Sequence, residues 1–399
     1  MYADNHTATI EAKRRWVILG VTTLSCLAFA ITMQSVPPIL SLVMAEFKLS
    51  YAQGGLLMSL FALPGIAISI PAGMLVDRYG QKTVGIICFA LMIVGTAIFA
   101  SGNSLPVLVL GRVVAGAGAL TMLVLAPQLL AQWFAGREMG TAMGVLNTAL
   151  PLGTILSLNF LSLLGENLGW RASAWISAAV PLIALLVFIF LFAPAPGTSQ
   201  ITRPKGESFL QSIRLTGISI WILGIAWLLF NAGVISMFTF TPDLLQSAGL
   251  TIASAGFVTS ALMWPSIVLS PVVGYVIDKI DRKRAIIAIG GLALAIFIAM
   301  IPSATSWILA LMIIIGVAQV LIPAPIYALI TDVTSPERLG LSFGIFNTCL
   351  NLGIVAGPVA VGAIRDATGS YQASYALMAG FAFLIILAMV ALRRRQKQV

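Results

Sequence analysis

Gly73-Met74-Leu75-Val76-Asp77-Arg78 returns 201 residues later as Gly274-Tyr275-Val276-Ile277-Asp278-Lys279. In the same register Ser59 meets Ser260 and Pro64 meets Pro265. A second pattern, Gly140-x-x-x-Gly144-x-x-Asn147-Thr148-x-Leu150-x-Leu152-Gly153, returns as Gly340-x-x-x-Gly344-x-x-Asn347-Thr348-x-Leu350-x-Leu352-Gly353, at an offset of 200. Two separate motifs at nearly one offset make the chain a tandem repeat of two halves.

The sequence around these motifs is apolar almost throughout. Hydrophobic residues fill 59% of the 399 positions and charged residues 9%, against about 25% charged in soluble domains. A soluble fold of this size cannot cover so much apolar surface, whereas lipid accepts it. Twelve apolar stretches have the length that crosses about 30 Å of hydrocarbon as a helix: 16–42, 52–75, 83–101, 105–132, 139–164, 171–192, 216–242, 252–277, 284–302, 305–331, 340–363 and 371–392. Helix is the assignment because backbone groups in lipid must bond within their own segment. The expected fold is an all-α membrane protein of twelve transmembrane helices. Two six-helix bundles, 1–193 and 214–399, are joined by a cytoplasmic linker over 194–213 that holds Pro194, Pro196, Gly197, Pro204 and Gly206. Parallel halves related by an axis along the membrane normal suit alternating access about a midplane site.

A net charge of +9 raises the question of a nucleic-acid partner, and the distribution answers it. Eighteen of the 22 basic residues fall on the side of the termini, Lys48, Arg171 and Arg365 on the other, and Arg112 within the membrane. That is the positive-inside pattern, which puts both termini in the cytoplasm and leaves lipid headgroups as the partner of the basic surplus. Cys26, Cys88 and Cys349 lie within apolar spans, with no spacing for a metal, a cofactor or a disulfide framework. The first span is too long for a signal peptide and lacks a cleavage site, so it reads as a retained helix.

The loop 73–82 resembles the cytoplasmic signature of the major facilitator superfamily, G-x-x-x-D-R-x-G-[RK]-[RK], and departs from it only at Gln81. The second copy has Asp281 in place of the second glycine and ends in Arg282-Lys283-Arg284. Arg112-Val-Val-Ala-Gly116-Ala-Gly118 is similar to the family's R-x-x-x-G-x-G motif, and Gly169-Trp170-Arg171 also looks like the family. The resemblance implies a secondary transporter, working as a monomer, with a small-molecule substrate and a coupling proton or counter-solute. It implies that Asp77 locks an inner gate against the start of the eleventh span, and Asp278 against the fifth. The gate set is then Gly73, Asp77, Arg78, Gly80, Gly274, Asp278, Lys279 and Arg282, with Gly80 supplying the tight reversal between two helices.

Arg112 is a charge inside the hydrocarbon, which is costly and marks a functional site by default. Two roles stand open: a counter-charge for an anionic substrate, or a hydrogen-bonded staple to carbonyls of the first span. The resemblance places spans one, four, seven and ten around a central cavity. Their polar residues Gln34, Gln128, Asn231, Gln319 and Tyr327 complete the candidate substrate site. Asn147 and Asn347 lie about 13 Å inside spans five and eleven, as substrate contacts or as hydrogen bonds between halves. Trp221, Trp227, Phe230, Phe238, Trp264 and Trp307 are read as an apolar wall or as interfacial belts.

No Asp or Glu falls in the middle of a span, and His6 is the only histidine. A neutral or anionic cargo fits that better than a proton-coupled sugar or a cationic drug. Arginines are absent from spans two and eight, against nitrate transport, and the antiporter glycine motif is displaced to Gly353-x-x-x-Gly357-Pro358. Nothing supplies a base, a metal pair or a phosphate loop, so the chain is not expected to be an enzyme or to use ATP directly. The reading is a multi-pass transporter of the cytoplasmic (inner) membrane. It carries a small organic anion or metabolite by rocker-switch alternating access. The alternative is an exporter of amphipathic, drug-like compounds.

Overall fold

The computed structural model describes residues 2–68, 75–76, 78–134, 138–194, 217–279, 282–304, 306–334 and 339–396. Among these the regular structure is helical: α1 Tyr2–Met33, α2 Leu40–Phe47, α3 Tyr51–Ser59, α4 Leu63–Ile68, α5 Gln81–Ala100, α6 Leu105–Phe134, α7 Met139–Leu156, α8 Ser162–Leu191, α9 Ile218–Ser247, α10 Ile252–Ser260, α11 Trp264–Lys279, α12 Lys283–Met300, α13 Ile308–Val320, α14 Pro323–Val333, α15 Leu339–Thr368 and α16 Tyr371–Gln396. Eleven helical segments among the described residues are long and apolar enough to cross a membrane. One of them, Met139–Leu191, has 53 residues, about 80 Å if straight, and it turns at Gly169, where φ is 82° and ψ 164°. The fifth and sixth spans expected from sequence both lie in it. Of the linker expected over 194–213, all but residue 194 lies outside the described residues.

The repeat is visible in how the helices break. Span two is interrupted at 60–62, between α3 and α4, and span eight at Ala261–Met263, between α10 and α11. Pro64 and Pro265 follow these breaks, and a proline has no N–H with which to continue the ladder. A glycine from a neighbouring helix sits against each exposed turn. A Cβ at Gly116 would lie 1.9 Å from the Phe61 carbonyl oxygen, and one at Gly316 2.5 Å from that of Leu262. Small residues are what let helices in lipid pack this closely. They recur where α7 meets α1, Gly153 against the Ala30 methyl, and where α15 meets α9, Gly353 and Gly357 against the carbonyls of Leu228 and Ala232. Gly353 and Gly357 of the displaced glycine motif of span eleven thus pack within their own half.

The two halves are in contact from one end to about mid-span, where a Cβ on Gly65 would lie 2.6 Å from Asn351 Oδ1, and they pack most closely at that end. There a Cβ on Gly55 would meet the Pro358 carbonyl at 2.4 Å, one on Gly362 the Tyr51 carbonyl at 2.3 Å, and one on Gly256 the Leu158 carbonyl at 2.1 Å. The Tyr51 and Tyr371 rings meet at the same end, 6.3 Å apart. Because α1 runs toward this end and α16 away from it, the start of α1 and the end of α16 lie at the opposite one. Toward the terminal end the repeat mates Gly144 and Gly344, with Gly140 and Gly274, have nothing within 4 Å of a built Cβ.

Candidate functional site

Arg112, on α6, is 2% exposed. Its Nε donates to the Leu57 carbonyl at 2.9 Å, one terminal nitrogen to the Thr32 carbonyl at 2.9 Å and Ser35 Oγ at 3.3 Å, and the other to the Met33 carbonyl at 2.9 Å. The Met58 sulfur is 3.8 Å from that last nitrogen, and the Phe61 ring lies beneath the guanidinium at 4.5 Å. Each of the five N–H groups of a guanidinium therefore has an acceptor in the protein. Thr32 and Met33 are the last residues of α1, whose carbonyls have no partner further along their own helix. The side chain joins the end of α1 to the second span just before its break.

Gln34 follows α1 directly and is 3% exposed. Its carbonyl accepts from Ser157 Oγ at 2.5 Å, which ties the first span to a π-helical turn at Ser157–Leu161. In the second half Gln319 braces span eight alone: its Nε2 donates to the Leu262 carbonyl at 2.9 Å, at the break of that span. The Oε1 atoms of Gln34 and Gln319 are buried without a hydrogen-bond partner.

The polar residues of spans seven and ten come together around aromatic rings. Trp227 stacks between Phe230 and Phe346, each 5.1 Å away, with interplanar angles of 10° and 9°. Tyr327 meets Trp227 and Phe346 edge-on at 5.5 and 5.1 Å, and stacks on Phe343 at 6.2 Å. Asn231, one turn along α9, donates from Nδ2 to the Trp227 carbonyl at 2.8 Å. Tyr327 and Asn347 are exposed, Asn231 half-buried, and Trp227 Nε1 is buried without a partner. Among the six aromatics read from sequence, only Trp227 and Phe230 join this group. Phe238 is in the core, and Trp264 bonds Ser260 Oγ at 3.3 Å. Phe343 and Phe346 gave no polar or motif signal in the sequence. On the facing half Gln128 is half-buried beside Pro127 on α6, and Asn147 is exposed on α7.

Of the gate residues, Gly73 and Asp77 lie outside the described residues, and only the backbone of Asp278 is described. Gly80 has φ 79°, the reversal expected of it, and precedes α5. Arg78 and Arg282 are exposed. The Lys279 ammonium bonds the Tyr275 hydroxyl and lies 4.2 Å from that ring. Away from all these residues, a groove of about 540 Å³ opens laterally between Asn159, Phe160 and Leu163 on one side and Ser254, Phe257 and Val258 on the other.

Two halves of one design, broken at the same register and glued by glycines, describe a known architecture. The sequence profile of the Major Facilitator Superfamily matches residues 19–253 and 242–399. The chain belongs to the Major Facilitator Superfamily. It is similar to the 3-(3-hydroxy-phenyl)propionate transporter of Escherichia coli K12, 25% identical over 400 residues that cover 96% of this chain and 97% of the relative. It is also similar to the hexuronate transporter of Bacillus subtilis 168, 22% identical over 366 residues and 86% of each chain. A crystal structure of a variant of the nucleoside transporter NupG shares its fold, with a TM-score of 0.81 and 18% identity, covering 94% of this chain and 99% of that one. The protein is a multi-pass membrane transporter and not an enzyme.

Proposed function

We propose that the protein is a secondary transporter of a small organic anion or similar small metabolite, working by rocker-switch alternating access. Met139–Leu191 is read as two crossings, which gives twelve, and the basic surplus supports a cytoplasmic side for both termini. The conformation is then closed outside and open inside. The observation that carries this reading is the contrast between the two ends. Glycines of the outer end touch backbone across the halves, while the repeat-related Gly144 and Gly344 face open space. One packed end and one loosened end are what a rocking pair of bundles requires.

The anion reading is supported by the lack of a carboxylate in mid-span and by relatives named for a hexuronate and a phenylpropionate. Asn231, Tyr327 and Asn347 are assigned to the substrate, with Gln128 and Asn147 facing them from the first half. The unpaired Oε1 atoms of Gln34 and Gln319 and the Nε1 of Trp227 are assigned to groups that pair when the bundles move, since a buried polar atom left unpaired costs about 1–3 kcal/mol. Arg112 is assigned to the staple, because its donors are already taken. The Asp77 and Asp278 motifs are assigned to the inner gate. Uptake of labelled sugar acids and aromatic acids into proteoliposomes tests the reading. Saturable uptake of an acid that Tyr327→Phe weakens supports it, and transport of amphipathic cations without any acid removes it.

A further inference from the structure

Two carboxylates at the outer end each cap a helix of the opposite half. Asp366, in the last turn of α15, accepts from the backbone N–H of Tyr51 at 2.8 Å and of Ala52 at 2.9 Å, the first two residues of α3. Glu166, on α8 just before the Gly169 bend, accepts from the N–H of Ala253 at 2.7 Å, the second residue of α10. The third donor of each helix is taken by its own cap: Gln53 N by Ser50 Oγ at 3.3 Å, and Ser254 N by Thr251 Oγ1 at 3.2 Å. Glu166 and Asp366 are 200 residues apart, and Ala52 and Ala253 201, the offsets of the repeat itself. We infer that Glu166 and Asp366 form a repeat-related latch that holds the outer end closed and must be released for that end to open.

The physical case rests on where the partners sit. The first N–H groups of a helix have no partner within it and carry its positive end, so a carboxylate there makes charge-assisted hydrogen bonds. Helices α3 and α10 already have caps of their own from Ser50 and Thr251, so the carboxylates are additional to local capping. Every one of these bonds crosses between the halves and exists only while the outer end is shut. A contact made in one conformation and not in the other is what biases an equilibrium between them. The latch lies beside close backbone approaches between the halves, Gly55 on Pro358 and Gly256 on Leu158. Its two arms are unequal. Asp366 makes two bonds, and next to it the Arg365 guanidinium lies over the Tyr51 and Tyr371 rings at 5.0 and 3.9 Å, with the Tyr371 hydroxyl bonded to Asp243. Glu166 makes one.

The test needs no cargo and so stands apart from the substrate reading. In purified protein with Cys26, Cys88 and Cys349 replaced by serine, Leu158→Cys places one thiol at a site fully buried under Gly256. Its rate of reaction with a maleimide reports outer opening. Asp366→Asn is expected to raise that rate roughly 5- to 30-fold, Glu166→Gln less, and the double variant most. Asp332→Asn, which removes an ion pair with Lys283 inside the second half, is expected to leave it unchanged. Gel filtration and thermal unfolding confirm that each variant is folded, and Glu166→Gln alone suffices if Asp366→Asn is not. A folded variant lacking either or both carboxylates that labels at the parent rate overturns the latch.

Discussion

Replacing Arg112 with methionine keeps much of its volume and removes every donor it offers. The carbonyls of Leu57, Thr32 and Met33, each now bonded at 2.9 Å, lose the guanidinium; Thr32 keeps the Ser35 hydroxyl at 2.9 Å, and the other two are left in an apolar interior. Interhelical polar contacts in membranes are worth about 0.6–2 kcal/mol each, a range already net of the unfolded reference in lipid. Three of them set an expected loss of about 2–6 kcal/mol, or a drop in melting temperature of at least about 2 °C for a chain of this length. Arg112→Lys is expected to recover only part of this. One ammonium on a flexible stem cannot reach the carbonyls of two helices as a planar fork does. Thermal unfolding of purified Met and Lys variants measures the effect, and proteoliposome uptake measures KM in whatever remains folded. A staple lowers stability and leaves the KM of the folded Lys variant near the parent's. Parental melting together with a selective loss of anion affinity in both variants would refute the staple and restore the counter-charge role.

Gly116→Ala and Gly316→Ala force a methyl to within 1.9 and 2.5 Å of a carbonyl oxygen, and each is expected to cost about 1–3 kcal/mol in thermal unfolding. Gly144→Ala and Gly344→Ala meet open space and are expected to leave stability unchanged or raise it by up to about 1 kcal/mol, while slowing uptake because those faces must close. Tyr327→Phe keeps its ring contacts and loses one hydrogen-bonding group, so KM is expected to rise ~5- to 10-fold with unchanged melting. Asp77→Asn is expected to abolish uptake while topology-reporter fusions still place both termini in the cytoplasm.

Much of the architecture could be read from residues because the repeat is written in side chains that break or join helices. Pro64 and Pro265 mark the two breaks in the second and eighth spans. Gly116 marks the contact that braces the first of them, and Gly316 the same contact in the second half. The candidate site was less legible, since the decisive partners are backbone atoms. Any residue can offer a carbonyl, so nothing in Thr32, Met33 or Leu57 announced itself as an acceptor for Arg112. Its functional counterpart was hidden for a second reason. The position equivalent to Arg112 is Met312, and the brace of the second half comes instead from Gln319, seven residues further along the chain. Glu166 and Asp366 carry no motif and lie outside mid-span, although their offset of 200 was a signal that could have found them. The rings of Phe343 and Phe346 were indistinguishable by sequence from lipid-facing apolar residues.

The proposed role of this chain is to move a small organic acid through a site between its halves. Counterflow in proteoliposomes tests it directly: vesicles are loaded with one unlabelled acid, and entry of trace labelled acid is followed across a panel of sugar acids, aromatic acids and short aliphatic acids. Transient, saturable accumulation of at least one acid is expected, reduced by Tyr327→Phe and abolished by Asp77→Asn. Protein that is folded by gel filtration and melting, yet shows no counterflow for any acid while an amphipathic cation exchanges, would contradict it.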